Sequence, residues 1–80
     1  MKLLNIGYSN VVSLDNVVAM VAPDSAPVKR IITEAKSKGT LIDATYGKKT
    51  RTVIVMNSDH VVLSALEVST LAARTEGKNE

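Results

Sequence analysis

Three cationic side chains lie within four positions of the sequence, directly after a glycine. Lys48, Lys49 and Arg51 follow Gly47, and the interval 44–58 contains no acidic residue. An exposed cationic turn is typical of phosphate binding, because lysine and arginine hold the nucleic-acid backbone without reading its bases. These three residues are therefore predicted to bind phosphate groups. The alternative interpretation is an ordinary solvated turn.

Catalytic chemistry has weaker support in the sequence. Asp59, His60 and Ser64 supply the residue types of a hydrolase triad, but Asp59 and His60 are adjacent and would point to opposite sides of a strand. His60 is better explained as a residue that forms a hydrogen bond near a turn. Cysteine is absent, the only histidine is His60, and the four glycines are isolated. We therefore expect no enzyme activity, no metal site, no cofactor and no small-molecule substrate.

The cationic turn requires strands on both sides of it. An alternating segment over 41–46 precedes the turn and the β-rich segment 52–56 follows it, so the simplest pairing is an antiparallel hairpin around 47–50. The run 53–56 is apolar without alternation, which predicts that one face is covered by a helix and the other by a neighbouring subunit. Tyr46 is expected to be a buried anchor of the hairpin. A contact of Tyr46 with nucleic acid is the alternative.

The remaining segments predict an α+β fold. Strands are also expected at about 3–8, 17–22 and 60–65, which makes an antiparallel or mixed sheet of about five strands. The strand at 17–22 should be buried on both faces. The main helix is predicted at about 25–38, with a proline in its first turn and an outward face of solvated charges. A short C-terminal helix is predicted at about 66–74, where Ser64 and Glu67 have the spacing of a capping box.

The composition indicates a small domain that needs help to be stable. The chain has 80 residues with 45% hydrophobic and 2% aromatic residues, a net charge of +2 and a pI near 9.1. We expect one oligomerising domain over 1–75 and a disordered tail over 76–80. Because neither disulfides nor zinc are available, self-association is the remaining common source of stability. No signal peptide or membrane segment is recognised, which predicts a cytoplasmic protein.

Four blocks of sequence carry a resemblance over nearly the whole chain. They are Asn5-Ile6-Gly7, 22–27 (APDSAP), 41–47 (LIDATYG) and 58–64 (SDHVVLS). In this order and spacing they resemble the RemA family, small bacterial DNA-binding regulators of extracellular-matrix genes. The resemblance implies a closed homo-oligomeric ring that presents its basic turns to DNA passing around the outside.

Three positions depart from the family pattern. The family's paired arginines in the turn are Lys48 and Lys49 here, and an arginine before the second strand corresponds to Asn16. The resemblance implies that Lys48, Lys49 and Arg51 contact DNA. It adds Asn16 to these predicted DNA contacts, whereas an ordinary turn residue is the interpretation of Asn16 from the sequence alone. Lysine lacks the bidentate fork of arginine, so DNA shape should contribute more to specificity than base contacts do.

The sequence is compatible with two functions from different classes. The first is a double-stranded DNA-binding transcriptional regulator of the extracellular-matrix or biofilm type, which acts as a homo-oligomeric ring. The second is an oligomeric scaffold that binds an acidic protein partner through the same basic loop, since carboxylates and phosphates attract the same cations.

Overall fold

A computed structural model describes residues 2–76 of the chain and confirms the α+β fold. The elements are β1 (Leu3–Gly7), β2 (Asn10–Ser13), a short 3₁₀ turn (Leu14–Asn16), β3 (Val17–Val21), α1 (Ala26–Lys38), β4 (Leu41–Asp43), β5 (Thr52–Met56), β6 (Val61–Ser64) and α2 (Val68–Thr75). The six strands form one sheet of two strands and one of four. The two predicted helices are confirmed. Residues 77–80 of the predicted tail lie outside the described residues.

The four-stranded sheet has the order β3-β5-β6-β4. β5 pairs antiparallel with both of its neighbours, whereas β4 pairs parallel with β6. The predicted hairpin between 41–46 and 52–56 is therefore wrong, because β6 lies between these two segments. The strand ends at Asp43, whose side chain accepts hydrogen bonds from Thr45, and the chain then crosses the end of β6 before it enters β5.

Helix α1 covers one face of this sheet. The Ser25 hydroxyl accepts the Val28 backbone N–H at 3.3 Å and so caps the helix, and Gly39 ends it with a φ of 78°. Ala35 is the buried residue of the helix. It packs with buried side chains that alternate along β5 and β6, namely Val53, Val61 and Leu63.

The opposite face is covered by the same chain. β1 and β2 form an antiparallel hairpin that packs with α2 against the sheet, so that Leu4, Ile6 and Leu71 bury Ile54 and Val62. The prediction that a neighbouring subunit covers this face is wrong. The sequence predicted a single N-terminal strand at about 3–8. In the structure the chain turns back after β1 and forms β2, and this hairpin covers the face.

β3 is an edge strand and is only partly buried, so the predicted burial of both its faces is also wrong. Its register against β5 shifts between Val17 and Ala19, which makes Val18 the extra residue of a β-bulge. The Val18 side chain is 66% exposed. Exposed apolar side chains at a sheet edge are typical of surfaces that associate with another chain.

The predicted capping box does not form. Ser64 lies in β6, where its buried hydroxyl donates to the Ile6 carbonyl at 2.8 Å and accepts the Leu66 N–H at 3.1 Å. Glu67 occupies the N-cap position of α2 without a side-chain cap bond. Ser64 therefore binds β1, and Glu67 forms an ion pair with Arg51, so neither side chain caps the helix. Within residues 2–76, no helix has both the length and the apolar character needed to cross a membrane.

Candidate nucleic-acid interface

The cationic loop, residues 44–51, joins β4 to β5 across the end of β6. At its start, the Ala44 N–H donates to the Leu63 carbonyl at 3.0 Å, and at its end the Arg51 N–H donates to the Ser64 carbonyl at 2.8 Å. The two anchors are adjacent residues of a buried strand. The loop therefore projects from a rigid base although it contains no regular secondary structure.

A tight turn forms the tip of the cationic loop. The Lys48 N–H donates to the Thr45 carbonyl at 3.0 Å, and Tyr46 and Gly47 between them have φ angles of 56° and 80°. Positive φ at both central positions defines a type I′ turn. Gly47 adopts this conformation without strain, whereas a tyrosine seldom does.

Asp43 fixes the start of the loop. One of its carboxylate oxygens accepts the Thr45 hydroxyl at 2.6 Å and the Thr45 backbone N–H at 2.9 Å. These two bonds, the hydroxyl first, lower the pKa of Asp43 below its ordinary value of 3.8 and outweigh the opposing effect of burial. The carboxylate orients the loop, and its bonds go to Thr45 instead of the cations.

The three predicted cations differ in their pairing. Lys48 and Lys49 are exposed and form no ion pair with another residue of the described range 2–76. Arg51 is bound to Glu67, with 3.0 Å between its Nη1 atom and a carboxylate oxygen. The charge of Arg51 is therefore neutralised by an ion pair, although the interval 44–58 contains no acidic residue. Its partner lies after β6, far from the turn in sequence.

Asn16 lies at the other end of the four-stranded sheet. Its backbone carbonyl accepts the Asn57 N–H at 2.8 Å, and its side-chain oxygen accepts the Asn57 amide at 3.3 Å. Asn57 follows β5, whereas Arg51 precedes β5. The separation is roughly 20 Å, at about 3.3 Å per residue of strand. Within one chain, the fold brings Lys48, Lys49 and Arg51 together and places Asn16 apart from them.

The two tyrosines form a stacked pair that the sequence did not predict. Tyr8 lies in the turn between β1 and β2, and its ring stacks on Tyr46 with centroids 5.3 Å apart and planes inclined by 17°. Tyr46 is 81% exposed, so its predicted role as a buried anchor is wrong. No local signal marks this pair, because the hairpin β1–β2 and the cationic loop meet only through the tertiary fold.

His60 has the role that its position beside the turn indicated. Its Nδ1 atom lies 2.8 Å from the Ser58 hydroxyl in an exposed hydrogen bond. Ser64 is buried against Ile6, as described above. Residues 2–76 contain no cluster of three or more histidine, cysteine, aspartate or glutamate side chains suited to a metal ion. The chemistry that the described site offers is the attraction of anions by exposed cations.

Comparison with known proteins identifies the family. A family model described as "RemA-like: Extracellular matrix regulatory protein A-like" matches residues 3–75. The chain belongs to the RemA-like family. This match confirms the resemblance found in the sequence, and it includes the cationic loop, both tyrosines and Asn16.

Bacterial relatives are similar to this RemA-like chain over almost its whole length. A protein of Clostridium novyi is 57% identical over 79 residues, which cover 99% of this chain and 88% of the relative. A protein of Desulforamulus reducens is 57% identical over 77 residues, covering 96% of this chain and 86% of the relative. Both carry the name "Putative regulatory protein". A regulatory role is therefore supported for this RemA-like protein.

Proposed function

We propose that this RemA-like protein is a cytoplasmic bacterial transcriptional regulator that binds double-stranded DNA as a homo-oligomeric ring. Its target genes would be of the extracellular-matrix or biofilm type, in keeping with the description of its family. The single observation that carries the proposal is a pair of exposed lysines, Lys48 and Lys49, which form no ion pair within residues 2–76 and lie on a loop anchored at both ends. Such a loop suits the phosphate backbone of a duplex, which attracts cations without regard to sequence.

Assembly is part of the proposed binding mode. Two exposed lysines and one paired arginine per chain give only the weak affinity of non-specific contacts, roughly 0.1 mM or somewhat tighter at physiological salt. Repetition of the cationic loop on a ring makes later contacts intramolecular, which raises avidity by about 10² to 10⁴. A single chain would therefore be too weak a ligand to regulate a promoter.

The two edges of the four-stranded sheet are the proposed contact surfaces between subunits. Val18 on β3 is 66% exposed and Ile42 on β4 is 49% exposed, and these strands form opposite edges. Contact between two different edges is head-to-tail, and head-to-tail contacts close into rings when the rotation per subunit allows it. These edges replace the sheet face that the sequence suggested, which the chain itself covers.

Removal of the loop charges tests the proposed function. Lys48→Ala together with Lys49→Ala should leave the melting temperature nearly unchanged, because exposed substitutions usually cost less than about 0.5 kcal/mol. DNA retention in a mobility-shift assay should fall sharply, and the magnitude of the salt slope should decrease by about 0.9 for each lost phosphate contact. The matched control removes Lys36 and Lys38 from the last turn of α1.

Equal weakening by the control pair would indicate bulk charge and contradict the assignment to the loop. If the parent protein retains no DNA even at low salt, the DNA proposal is wrong. The alternative of a scaffold that binds an acidic protein through the same loop would then be favoured.

Substitution at the sheet edges tests the assembly. Val18→Glu or Ile42→Glu should reduce the mass measured by light scattering, because a charge at an apolar contact opposes association. The circular dichroism spectrum should be retained. Val11→Glu is the matched control, since Val11 is 53% exposed on the other sheet and should leave the mass unchanged. A folded monomer with an intact cationic loop and the DNA affinity of the parent would contradict the role of multivalency.

A further inference from the structure

The stacked tyrosines occupy equivalent places in two turns of the same type. The turn between β1 and β2 has φ angles of 54° at Tyr8 and 66° at Ser9, and the tip of the cationic loop has 56° at Tyr46 and 80° at Gly47. Each tyrosine is the first central residue of a type I′ turn, a position that favours asparagine, aspartate or glycine. The chain thus places its only two aromatic residues where aromatic residues are disfavoured.

The stack leaves one aromatic face in contact with solvent. Tyr8 is 47% exposed and supports one face of the Tyr46 ring, while Tyr46 is 81% exposed. A large apolar ring held in a strained backbone conformation at the surface does not stabilise the core. Residues kept in sparsely populated conformations concentrate at functional sites, where the surrounding structure holds them in place.

The charges beside the ring select its partner. Lys48 closes the turn that carries Tyr46, and neither Lys48 nor Lys49 forms an ion pair with another residue of 2–76. A ligand on the ring must therefore also satisfy two cations. The sugar-phosphate backbone of duplex DNA offers both parts, since deoxyribose packs on an aromatic face and phosphate oxygens accept hydrogen bonds from hydroxyl and ammonium groups.

We infer that Tyr46 is a DNA-contacting residue, with its ring against deoxyribose and its hydroxyl donating to a phosphate oxygen, and that Tyr8 is the positioning residue that holds the ring in place. This inference rests on the proposed function. It assigns to the cationic loop an uncharged contact that acts together with Lys48 and Lys49.

The test separates the stability of the turn from its function. Tyr46→Asn places the preferred Asn-Gly pair of a type I′ turn at the loop tip, so the melting temperature should be unchanged or higher despite the lost stack. DNA affinity should fall by more than about tenfold, because the loss of one hydrogen bond to a charged group already costs about tenfold and the contact of the ring with deoxyribose is lost as well. The salt slope should stay at the parent value, because no cation is removed.

Two further variants separate the contribution of the Tyr46 hydroxyl to DNA affinity from that of the Tyr8 support. Tyr46→Phe keeps the ring and removes the hydroxyl, so its loss of affinity should be smaller than that of Tyr46→Asn. Tyr8→Asn removes the support, and its loss of affinity should disappear when Tyr46→Asn is already present, because a positioning residue acts only through the residue that it positions.

The outcomes distinguish this inference from the proposed function. If Lys48→Ala with Lys49→Ala weakens DNA binding while Tyr46→Asn does not, the proposed function stands and the inference is overturned. A lower salt slope in Tyr46→Asn would mean that the substitution disturbs the lysines, and a changed mass in light scattering would place the pair at a subunit contact. Either result also overturns the inference.

Discussion

The polar side chains at the two ends of β5 differ in whether they bond to one another. Before β5, the chain anchors the cationic loop through its backbone and leaves Lys48 and Lys49 unpaired among residues 2–76. After β5, the amides of Asn16 and Asn57 bond to each other, and the Ser58 hydroxyl bonds to His60. Side chains that satisfy one another are not available to a ligand. The two ends therefore differ in both charge and pairing, and the end before β5 is the one that presents lysines without an ion-pair partner among residues 2–76.

Charge reversal at each end of β5 should give the largest difference in DNA affinity between the two ends. Lys49→Glu should weaken DNA binding by about 100-fold and Lys49→Ala by about tenfold, because the glutamate adds repulsion to the lost attraction. Lys38→Glu is the control at the other end, where Lys38 borders a shallow depression beside Thr40 and Asp59. Titration of DNA with each variant measures the effect. Equal losses for Lys49→Glu and Lys49→Ala would indicate packing instead of charge.

The ion pair between Arg51 and Glu67 can be removed without changing either lysine. Glu67→Gln removes the partner of Arg51 and should tighten DNA binding by about threefold, with a rise of up to about 0.9 in the magnitude of the salt slope. The pair is exposed, so the fold should lose little stability. Glu34→Gln on α1 removes the same charge and serves as the control. Weaker binding by Glu67→Gln would mean that the ion pair orients Arg51 toward DNA.

Asn16→Arg tests whether DNA spans both ends of β5. If Asn16 faces away from the bound DNA, as its place in one chain suggests, the salt slope should not change. A rise of about 0.9 would equal one added phosphate contact. In that case a neighbouring subunit must bring Asn16 beside the cationic loop, and the contrast between the two ends would apply to the single chain only.

A small pH dependence of stability is expected from Asp43. Hydrogen bonds from Thr45 lower the pKa of Asp43 in the folded state, so its stabilising contribution is present above the unfolded value, near 3.8. The contribution is lost as the pH falls through the lower, folded pKa. The difference in unfolding free energy between the parent and Asp43→Asn should therefore shrink between pH 5 and pH 2 in denaturant titrations. A constant difference over this range would contradict the role of the Asp43 carboxylate.

Local sequence signals were sufficient for several elements. The proline in the first turn and the solvated charges on the outward face predicted the main helix, since both depend on residues within a few turns of each other. The isolated Gly47 predicted a turn, and the cations after it predicted an exposed loop. Strand pairing could not be predicted in the same way. β4 pairs with β6, which is separated from it in sequence by β5, and no short segment of sequence indicates this pairing.

For the candidate site too, some properties could be predicted from the sequence and others depend on the fold. Linear sequence is enough to show which cations exist, that they follow a turn, and that the chain belongs with the RemA-like proteins, because composition, spacing and family pattern are properties of the linear chain. The fold is needed to show that Glu67 neutralises Arg51, that Tyr8 supports Tyr46, and that Asn16 lies at the far end of β5. These relations join residues 16 or more positions apart, and the packing of two sheets and two helices brings such residues together or keeps them apart.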